Sequence, residues 1–262
     1  MKLEARGITV EAGGCAIVKD ADLTLAPGEL VGLIGPNGAG KSTLLRAIVG
    51  AAARKGEVLL DGASDKHLSS RAKARALAYL PQERRVEWAI SVRELVALGR
   101  HPFERRLGRL TPAGDAAIDE ALSQVGLAGI ADRSAKVLSS GEQALALLAR
   151  ALAVGAPLLL ADEPVAALDP FHQLRVMELL RGYALAGAGV LTVLHDLTLA
   201  SRFCDRLIVM HRGEVVREGN PREVIDPAML EQIYGVTPLF GEHENTRWVM
   251  PWRCVARPKD GS

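Results

Sequence analysis

The sequence predicts an α/β fold in which a mainly parallel sheet is covered by helices on both faces. Short apolar runs that suit buried parallel strands alternate with segments of helical periodicity, which is the pattern of such sheets. The chain has 262 residues, of which 48% are hydrophobic and 24% are charged, so a large globular core is expected. Ligands of these sheets bind beyond the carboxyl ends of the strands, and polar motifs located there are therefore functional candidates.

The first part of the chain predicts a strand, a loop and a helix in succession. Leu30 to Ile34 is an apolar run that ends at a glycine-rich segment. Helical periodicity follows from Lys41 to Val49, and Gly50 is a typical stop signal. Glu57 to Leu60 and Leu77 to Leu80 predict two further short strands.

Residues 84 to about 137 are predicted to form a helical insertion. Ser91 and Glu94 have the spacing of a capping box, at the start of a helix that runs towards Gly99. Thr111 followed by proline is a second start signal, and apolar residues then recur at helical spacing as far as Gly126.

The remaining sequence alternates helices and strands again. The predicted elements are a helix from Gly141 to Gly155, a strand from Pro157 to Ala161, a helix from Phe171 to Ala186, a strand from Val190 to Leu194, a hairpin around Arg212-Gly213, and short helices opened by Asn220-Pro221 and Asp226-Pro227. We expect one domain at 1–235, with a core at 1–83 and 138–225 and a helical subdomain at about 84–137. A tail at 236–262 follows, to which the sequence assigns no role.

Composition and charge argue against several classes of protein. The formal net charge is +1, which does not favour a nucleic-acid partner. The three cysteines are widely spaced, so neither a disulfide framework nor a zinc site is expected. No signal peptide opens the sequence, and the most apolar stretch, Ala144 to Ala161, is interrupted by Arg150, Gly155 and Pro157. Any membrane association is therefore expected to be peripheral.

A phosphate-binding loop is predicted between the first strand and the first helix. It matches the G-x-x-x-x-G-K-[ST] pattern, in which glycines let backbone N–H groups surround an anion at a helix N-terminus. Lys41 would reach the β- and γ-phosphates of ATP, and Ser42 offers a hydroxyl to Mg²⁺, which prefers oxygen ligands. The loop comprises Gly35, Pro36, Asn37, Gly38, Ala39, Gly40, Lys41, Ser42 and Thr43.

Two adjacent carboxylates follow the apolar strand that ends at Ala161. Buried charges need a cationic or catalytic partner, because an unpaired buried charge is costly. Asp162 is suited to hold Mg²⁺ directly or through water, and Glu163 is suited to act as a general base that orients the attacking water.

A third polar motif, Leu138-Ser-Ser-Gly-Glu-Gln143, opens a helix just before this acidic strand end. It resembles the signature motif of ATP-binding cassette (ABC) proteins, and the resemblance covers about residues 3 to 235. It implies a P-loop NTPase core of the RecA-like type, with a mainly parallel sheet, an antiparallel β subdomain and an inserted α-helical subdomain. It also implies ATP hydrolysis by a head-to-tail homodimer, since a phosphate loop cannot readily be faced by the signature helix of its own chain.

The resemblance extends to single residues in the order that the family shows. Gln82 resembles the Q-loop glutamine, which contacts Mg²⁺ or water and senses a transmembrane partner. Asp169 resembles the D-loop aspartate that links the two sites, and His195 resembles the switch histidine that contacts the γ-phosphate. The signature residues implied to contact ATP held by the opposite subunit are Ser139, Ser140, Gly141 and Glu142.

Two residues depart from the family pattern. Ala12 precedes Gly13-Gly14, where an aromatic residue often stacks on adenine, and Ser140 stands where glycine is usual. A cassette that binds ATP but turns it over slowly is therefore one alternative.

Several stretches resemble the subfamily that imports iron chelates, haem and cobalamin. They are Leu80 to Gln82, Ser91 to Pro102 and His195 to Gly213. The implied partners are transmembrane permease subunits and a periplasmic or extracellular substrate-binding protein, with this chain on the cytoplasmic face of the inner membrane. The region from Trp88 to Phe103 either docks the permease or packs the helical subdomain. An exporter ATPase and a soluble cassette protein acting on ribosomes or DNA remain alternatives.

Overall fold

The structure is a computed structural model that describes residues 1–83, 86, 89–104, 111–244 and 246–255. Within these ranges the strands are β1 (Leu3–Ala12), β2 (Cys15–Leu25), β3 (Leu30–Ile34), β4 (Lys55–Leu60), β5 (Ala63–Ser64), β6 (Leu77–Leu80), β7 (Leu158–Ala161), β8 (Gly189–Val193), β9 (Arg206–His211), β10 (Glu214–Gly219), β11 (Val236–His243) and β12 (Thr246–Cys254). The helices there are α1 (Lys41–Val49), α2 (Ser70–Ala76), α3 (Val92–Ala97), α4 (Pro112–Val125), α5 (Ser140–Leu152), α6 (Pro170–Leu185), α7 (Leu197–Phe203), α8 (Pro221–Val224) and α9 (Pro227–Met229).

The central sheet has the strand order β10-β9-β3-β8-β7-β6. All neighbouring pairs are parallel except β9 and β10, which form an antiparallel hairpin. A second, antiparallel sheet has the order β2-β1-β4-β5. The predicted α/β fold with a mainly parallel sheet and an antiparallel β subdomain is confirmed.

Side chains of the central strands alternate between two hydrophobic cores. On β7, Leu159 and Ala161 pack into the core that contains α5 and α6, whereas Leu158 and Leu160 pack into the core that contains α1. This two-residue period follows from strand geometry, and the burial of both faces explains why the strands are continuously apolar. The carboxyl ends of β3, β6, β7 and β8 consequently share one edge of the sheet.

The inserted segment is held at both ends by backbone contacts. Val92 donates its N–H to the carbonyl of Arg133 at 2.9 Å, and Ser91 and Ser134 form an isolated β-bridge. Helices α3 and α4 carry the two predicted caps, Ser91 and Thr111. The segment also contains single turns of 3₁₀-helix at Leu98–Arg100, Ala128–Ile130 and Ala135–Val137.

Phe103 is packed within this region. Its ring lies 4.0 Å from the guanidinium carbon of Arg100 and 4.8 Å from that of Arg75, and its side chain contacts the core. These contacts favour the packing interpretation of Phe103. Trp88, the other aromatic residue in that prediction, lies outside the described residues.

Features that were not predicted from the sequence include the β1–β2 pair, the short strand β5, α2, α7 and the hairpin formed by β11 and β12. Bulges shift the β1–β2 register three times, which obscures the alternation of apolar and polar residues. The tail hairpin packs on α7, where Val249 is buried and the Thr198 hydroxyl donates to the Val249 carbonyl at 2.7 Å. The tail therefore extends the fold.

None of the helices in the described ranges has both the length and the apolar character needed to span a membrane.

Candidate functional site

The loop after β3 adopts a conformation that requires glycine at two positions. Gly35 has φ 146°, and a Cβ atom there would lie 2.1 Å from the Met210 carbonyl oxygen. Gly40 has φ 99°, and its Cβ would lie 2.7 Å from the Ile17 carbonyl oxygen. The combination of these φ values with such close backbone contacts is compatible with glycine alone. The loop therefore passes tightly between β2 and β9 and leads into α1.

Lys41, the first residue of α1, folds back over this loop. It is only 5% exposed, and its ammonium donates hydrogen bonds to the carbonyls of Gly35 at 2.7 Å and Pro36 at 2.8 Å. Burial lowers the pKa of Lys41, while the nearby charges of Glu163 and Asp162 act in the opposite direction. Two carbonyl oxygens thus accept hydrogen bonds from the Lys41 ammonium, and phosphate oxygens of a ligand could replace them.

Ser42 and Asp162 form an oxygen-rich pair beside the loop. The Ser42 hydroxyl donates to Asp162 Oδ1 at 2.8 Å, and the Tyr79 hydroxyl lies 3.4 Å from Asp162 Oδ2. Asp162 is completely buried, and burial raises its pKa although the Ser42 hydrogen bond lowers it. A bound cation would stabilise the charged form of this carboxylate. A hydroxyl and a carboxylate are ligands that suit Mg²⁺, so the residues present fit that ion.

Glu163 is held between two other strand ends. Its Oε2 accepts a hydrogen bond from Gln82 Nε2 at 2.9 Å, and its Oε1 lies 2.7 Å from His195 Nε2. Glu163 has φ 50°, an uncommon conformation for a residue with a side chain, and such backbone is typical of functional sites. The structure therefore brings together the predicted residues that follow β6, β7 and β8.

These groups surround one cleft with a volume of about 720 Å³. Gly35 and Pro36 contribute carbonyls to Lys41, and Asp162 lies behind Ser42. The residues that line the cleft are Ile17, Asn37, Gly38, Ala39, Gly40, Lys41, Ser42, Thr43, Gln82, Glu163 and His195.

Sequence comparison agrees with this geometry. A family model described as "ABC transporter" matches residues 18–166, which is more than half of the chain. The chain belongs to the ABC transporter family.

Curated relatives in this family include two kinds of import protein. The cobalamin import ATP-binding protein BtuD of Halobacterium salinarum is 44% identical over 243 residues, which cover 92% of this chain and 61% of that protein. The chain thus spans less than two thirds of that relative. The hemin import ATP-binding protein HmuV of Pseudomonas fluorescens is 41% identical over 247 residues, which cover 92% of this chain and 95% of that protein.

A solved structure of an ABC cassette resembles the chain as well. It is a dimeric ATP-binding cassette in a post-hydrolysis state with ADP and phosphate bound, with a TM-score of 0.72 and 29% identity. The match covers 84% of this chain and 99% of that one. The P-loop NTPase core that the sequence predicts is thereby confirmed.

The signature residues of this ABC family member lie apart from the cleft lining. Ser139 caps α5, where Ser139 N–H donates to Glu142 Oε2 at 2.8 Å and Glu142 N–H donates to Ser139 Oγ at 3.2 Å. Ser140 and Gly141 are the first two residues of that helix. Asp169 caps α6. Among the described residues, none of these five lines the cleft in its own chain.

Sequence reasoning missed Ile17 and Tyr79. Ile17 lines the cleft from β2, whereas Ala12, the position considered for adenine stacking, does not. The signal for Ile17 was its place three residues after the glycine pair, on a strand that was not predicted. Tyr79 lies on β6, and only its three-dimensional proximity to Asp162 identifies it.

Proposed function

We propose that this chain is the ATP-binding and ATP-hydrolysing subunit of an ABC importer, with Mg²⁺ as its metal ion. One observation carries the proposal: a single cleft joins the phosphate loop, an oxygen pair suited to a cation, and a carboxylate oriented by Gln82 and His195. Such an arrangement supports in-line attack of water on a γ-phosphate.

The residues of this site have separate roles in ATP hydrolysis. Lys41 exchanges the Gly35 and Pro36 carbonyls for β- and γ-phosphate oxygens. Its ammonium then offsets negative charge on the bound substrate. Ser42 and Asp162 would hold Mg²⁺, which neutralises developing negative charge on the phosphates when bound. Glu163 accepts a proton from the attacking water, and its contacts with Gln82 and His195 help to orient it.

The second half of each site comes from another copy of the chain. The N-terminus of α5, with Ser139, Ser140 and Gly141, is a potential anion site, yet it does not line the cleft of its own chain. A head-to-tail homodimer would place this helix end against ATP bound to the partner, with Asp169 linking the two sites. The dimeric, ADP- and phosphate-bound cassette that resembles this chain supports the proposal.

The proposed direction of transport is import. The relatives are named as import proteins for cobalamin and hemin, and the sequence resembles the subfamily that also imports iron chelates. We therefore assign the chain to the cytoplasmic face of the inner membrane, bound to transmembrane permease subunits that receive cargo from a periplasmic or extracellular binding protein. The ATPase domain is assigned to residues 1–235, with the helical subdomain at about 84–137.

The first experiment tests the chemistry. The purified chain should release phosphate from ATP in the presence of Mg²⁺; EDTA should abolish the release, and the Glu163→Gln variant should slow it by about 10²- to 10⁴-fold. Leu185→Ala, which alters an exposed side chain on α6, serves as the matched control. Absence of nucleotide binding in the intact chain would rule out the proposal.

The second experiment tests import. Cells lacking this chain should lose ATP-dependent accumulation of one labelled cargo among cobalamin, haem and a ferric chelate. The wild-type chain should restore accumulation, and Glu163→Gln should not. Loss of efflux with normal uptake would indicate an exporter, and co-purification with ribosomes in place of membrane subunits would indicate a soluble cassette protein.

A further inference from the structure

His172 uses its backbone and its ring to contact the same carboxylate. Asp169 caps α6 by accepting the His172 N–H at Oδ1, at 3.0 Å. Its second oxygen, Oδ2, lies 2.6 Å from His172 Nδ1. An ordinary helix cap needs only the first of these contacts. The second one fixes the direction of the imidazole ring.

The opposite edge of the same ring lies against the signature motif. A Cβ atom on Gly141 would be 2.4 Å from both Cδ2 and Nε2 of His172, which is far inside van der Waals contact. Gly141 does not have a positive φ, so its backbone conformation is available to any residue. The three atoms nearest to such a Cβ all belong to the His172 ring and would lie within 2.5 Å of it, so the ring is a direct steric obstacle to a side chain at this position.

These contacts connect two functional segments within one chain. Asp169 precedes α6, and Gly141 is the second residue of α5, whose N-terminus carries Ser139. The ring fills the space between the two helix starts. Its side chain is 22% exposed, so most of its surface is in contact with protein. A shift of the ring would move the two segments relative to each other.

We propose that His172 is a positioning residue that fixes the N-terminus of α5 relative to Asp169. Its effect on turnover rests on the proposed function, in which this helix end contacts ATP bound to the partner copy. His172 itself does not line the nucleotide cleft, so it acts through Gly141 and Asp169. Displacing a contacting group by about 1 Å can slow a reaction by up to roughly 100-fold.

A double-mutant cycle tests the steric contact independently of activity. Gly141→Ala should lower the thermal unfolding midpoint and accelerate hydrogen exchange at 141–145, because the new methyl group collides with the ring. In the His172→Ala background the same change should raise the midpoint, since alanine favours a helix more than glycine does. An effect of the same sign in both backgrounds would overturn the proposal.

Kinetics test the positioning role. His172→Ala should reduce kcat for ATP hydrolysis by about 10- to 100-fold, while the nucleotide affinity of the monomeric chain, which depends on its own cleft, changes by less than about 3-fold. His172→Asn retains a donor for Asp169, and His172→Phe retains a ring against Gly141. Each should restore part of the lost kcat. Leu185→Ala, on the same helix, is the control.

Two failures remain distinguishable. If the wild-type chain does not hydrolyse ATP, the proposed function fails, and the unfolding and exchange cycle still decides whether His172 positions α5. If the wild-type chain hydrolyses ATP and His172→Ala leaves kcat unchanged, the positioning role is refuted while the ATPase stands.

Discussion

Replacing Glu163 by glutamine tests its role in ATP hydrolysis separately from its role in folding stability and ATP binding. Glutamine has the same length, so its carbonyl oxygen can still accept the Gln82 hydrogen bond, which measures 2.9 Å in the wild-type chain. Its amide can donate to His195 Nε2, now 2.7 Å from the carboxylate, if the histidine carries its proton on Nδ1. The left-handed backbone at position 163 is equally accessible to both residues.

The folding free energy of Glu163→Gln should therefore change by no more than about 1 kcal/mol. The amide cannot accept a proton from water, so kcat should fall by about 10²- to 10⁴-fold, which corresponds to roughly 2.7 to 5.5 kcal/mol of activation free energy. ATP binding should persist, because Lys41, Ser42 and the loop glycines remain unchanged.

Three assays test this prediction: phosphate release measures turnover, calorimetric titration measures ATP affinity, and sedimentation velocity measures dimerisation. We expect very slow release, near wild-type affinity, and a dimer that accumulates with ATP and disappears with ADP. Glu163→Ala, which removes the contacts with Gln82 and His195, is the comparison for stability. A monomeric Glu163→Gln variant with wild-type turnover would contradict the assignment of Glu163 as the general base.

Three other substitutions test neighbouring parts of the structure. Lys41→Ala should weaken ATP binding by about 10- to 100-fold in calorimetry, since a charged hydrogen-bond donor is lost; unchanged affinity would exclude the proposed role of Lys41. Gly35→Ala should lower stability by about 3 kcal/mol because of strain and backbone overlap, and a melting midpoint equal to that of wild type would be inconsistent with the loop geometry. Asp65→Asn should cost about 3 kcal/mol, because Asp65 pairs with Arg54 at 2.6 Å and also with Lys73 in a largely buried cluster. Burial alone would raise the pKa of Asp65, but hydrogen bonds from Lys73 and Arg54 lower it overall. The stabilisation by Asp65 is therefore fully present above the unfolded pKa near 3.9 and is lost as the pH falls through the lower folded pKa. In urea unfolding, the difference in free energy of unfolding between wild type and Asp65→Asn should shrink over that range; a difference that grows on acidification would refute this account.

Local rules account for most of what the sequence predicted correctly. The predicted capping box of Ser91 with Glu94 joins residues three positions apart and is present. Ser139 and Glu142 have the same spacing and form a second box, which was not predicted. The left-handed cap at Gly50 also lies where the glycine predicted it. Such features depend on neighbouring residues alone, so the sequence suffices to locate them.

Contacts between distant segments were beyond sequence reasoning. Tyr79 meets Asp162 across 83 positions, and Ile17 reaches the phosphate loop from a strand whose bulges obscured its periodicity. The tail hairpin packs through the buried Val249 and through the partly buried Val236 and Phe240. In each case the decisive interaction comes from the fold, because no short-range pattern encodes it.

The two small residues that open α5 are under different constraints. Ser140 is exposed and has an ordinary helical backbone, so its side chain can project to solvent without displacing the helix. Gly141 is buried under the His172 ring, where even one methyl group would overlap imidazole atoms. A serine in place of the usual glycine at position 140 is therefore sterically compatible with a correctly placed helix N-terminus. In the proposed head-to-tail dimer, an effect of Ser140 on turnover would arise where its hydroxyl meets the partner's nucleotide, since Ser140 is exposed in its own chain.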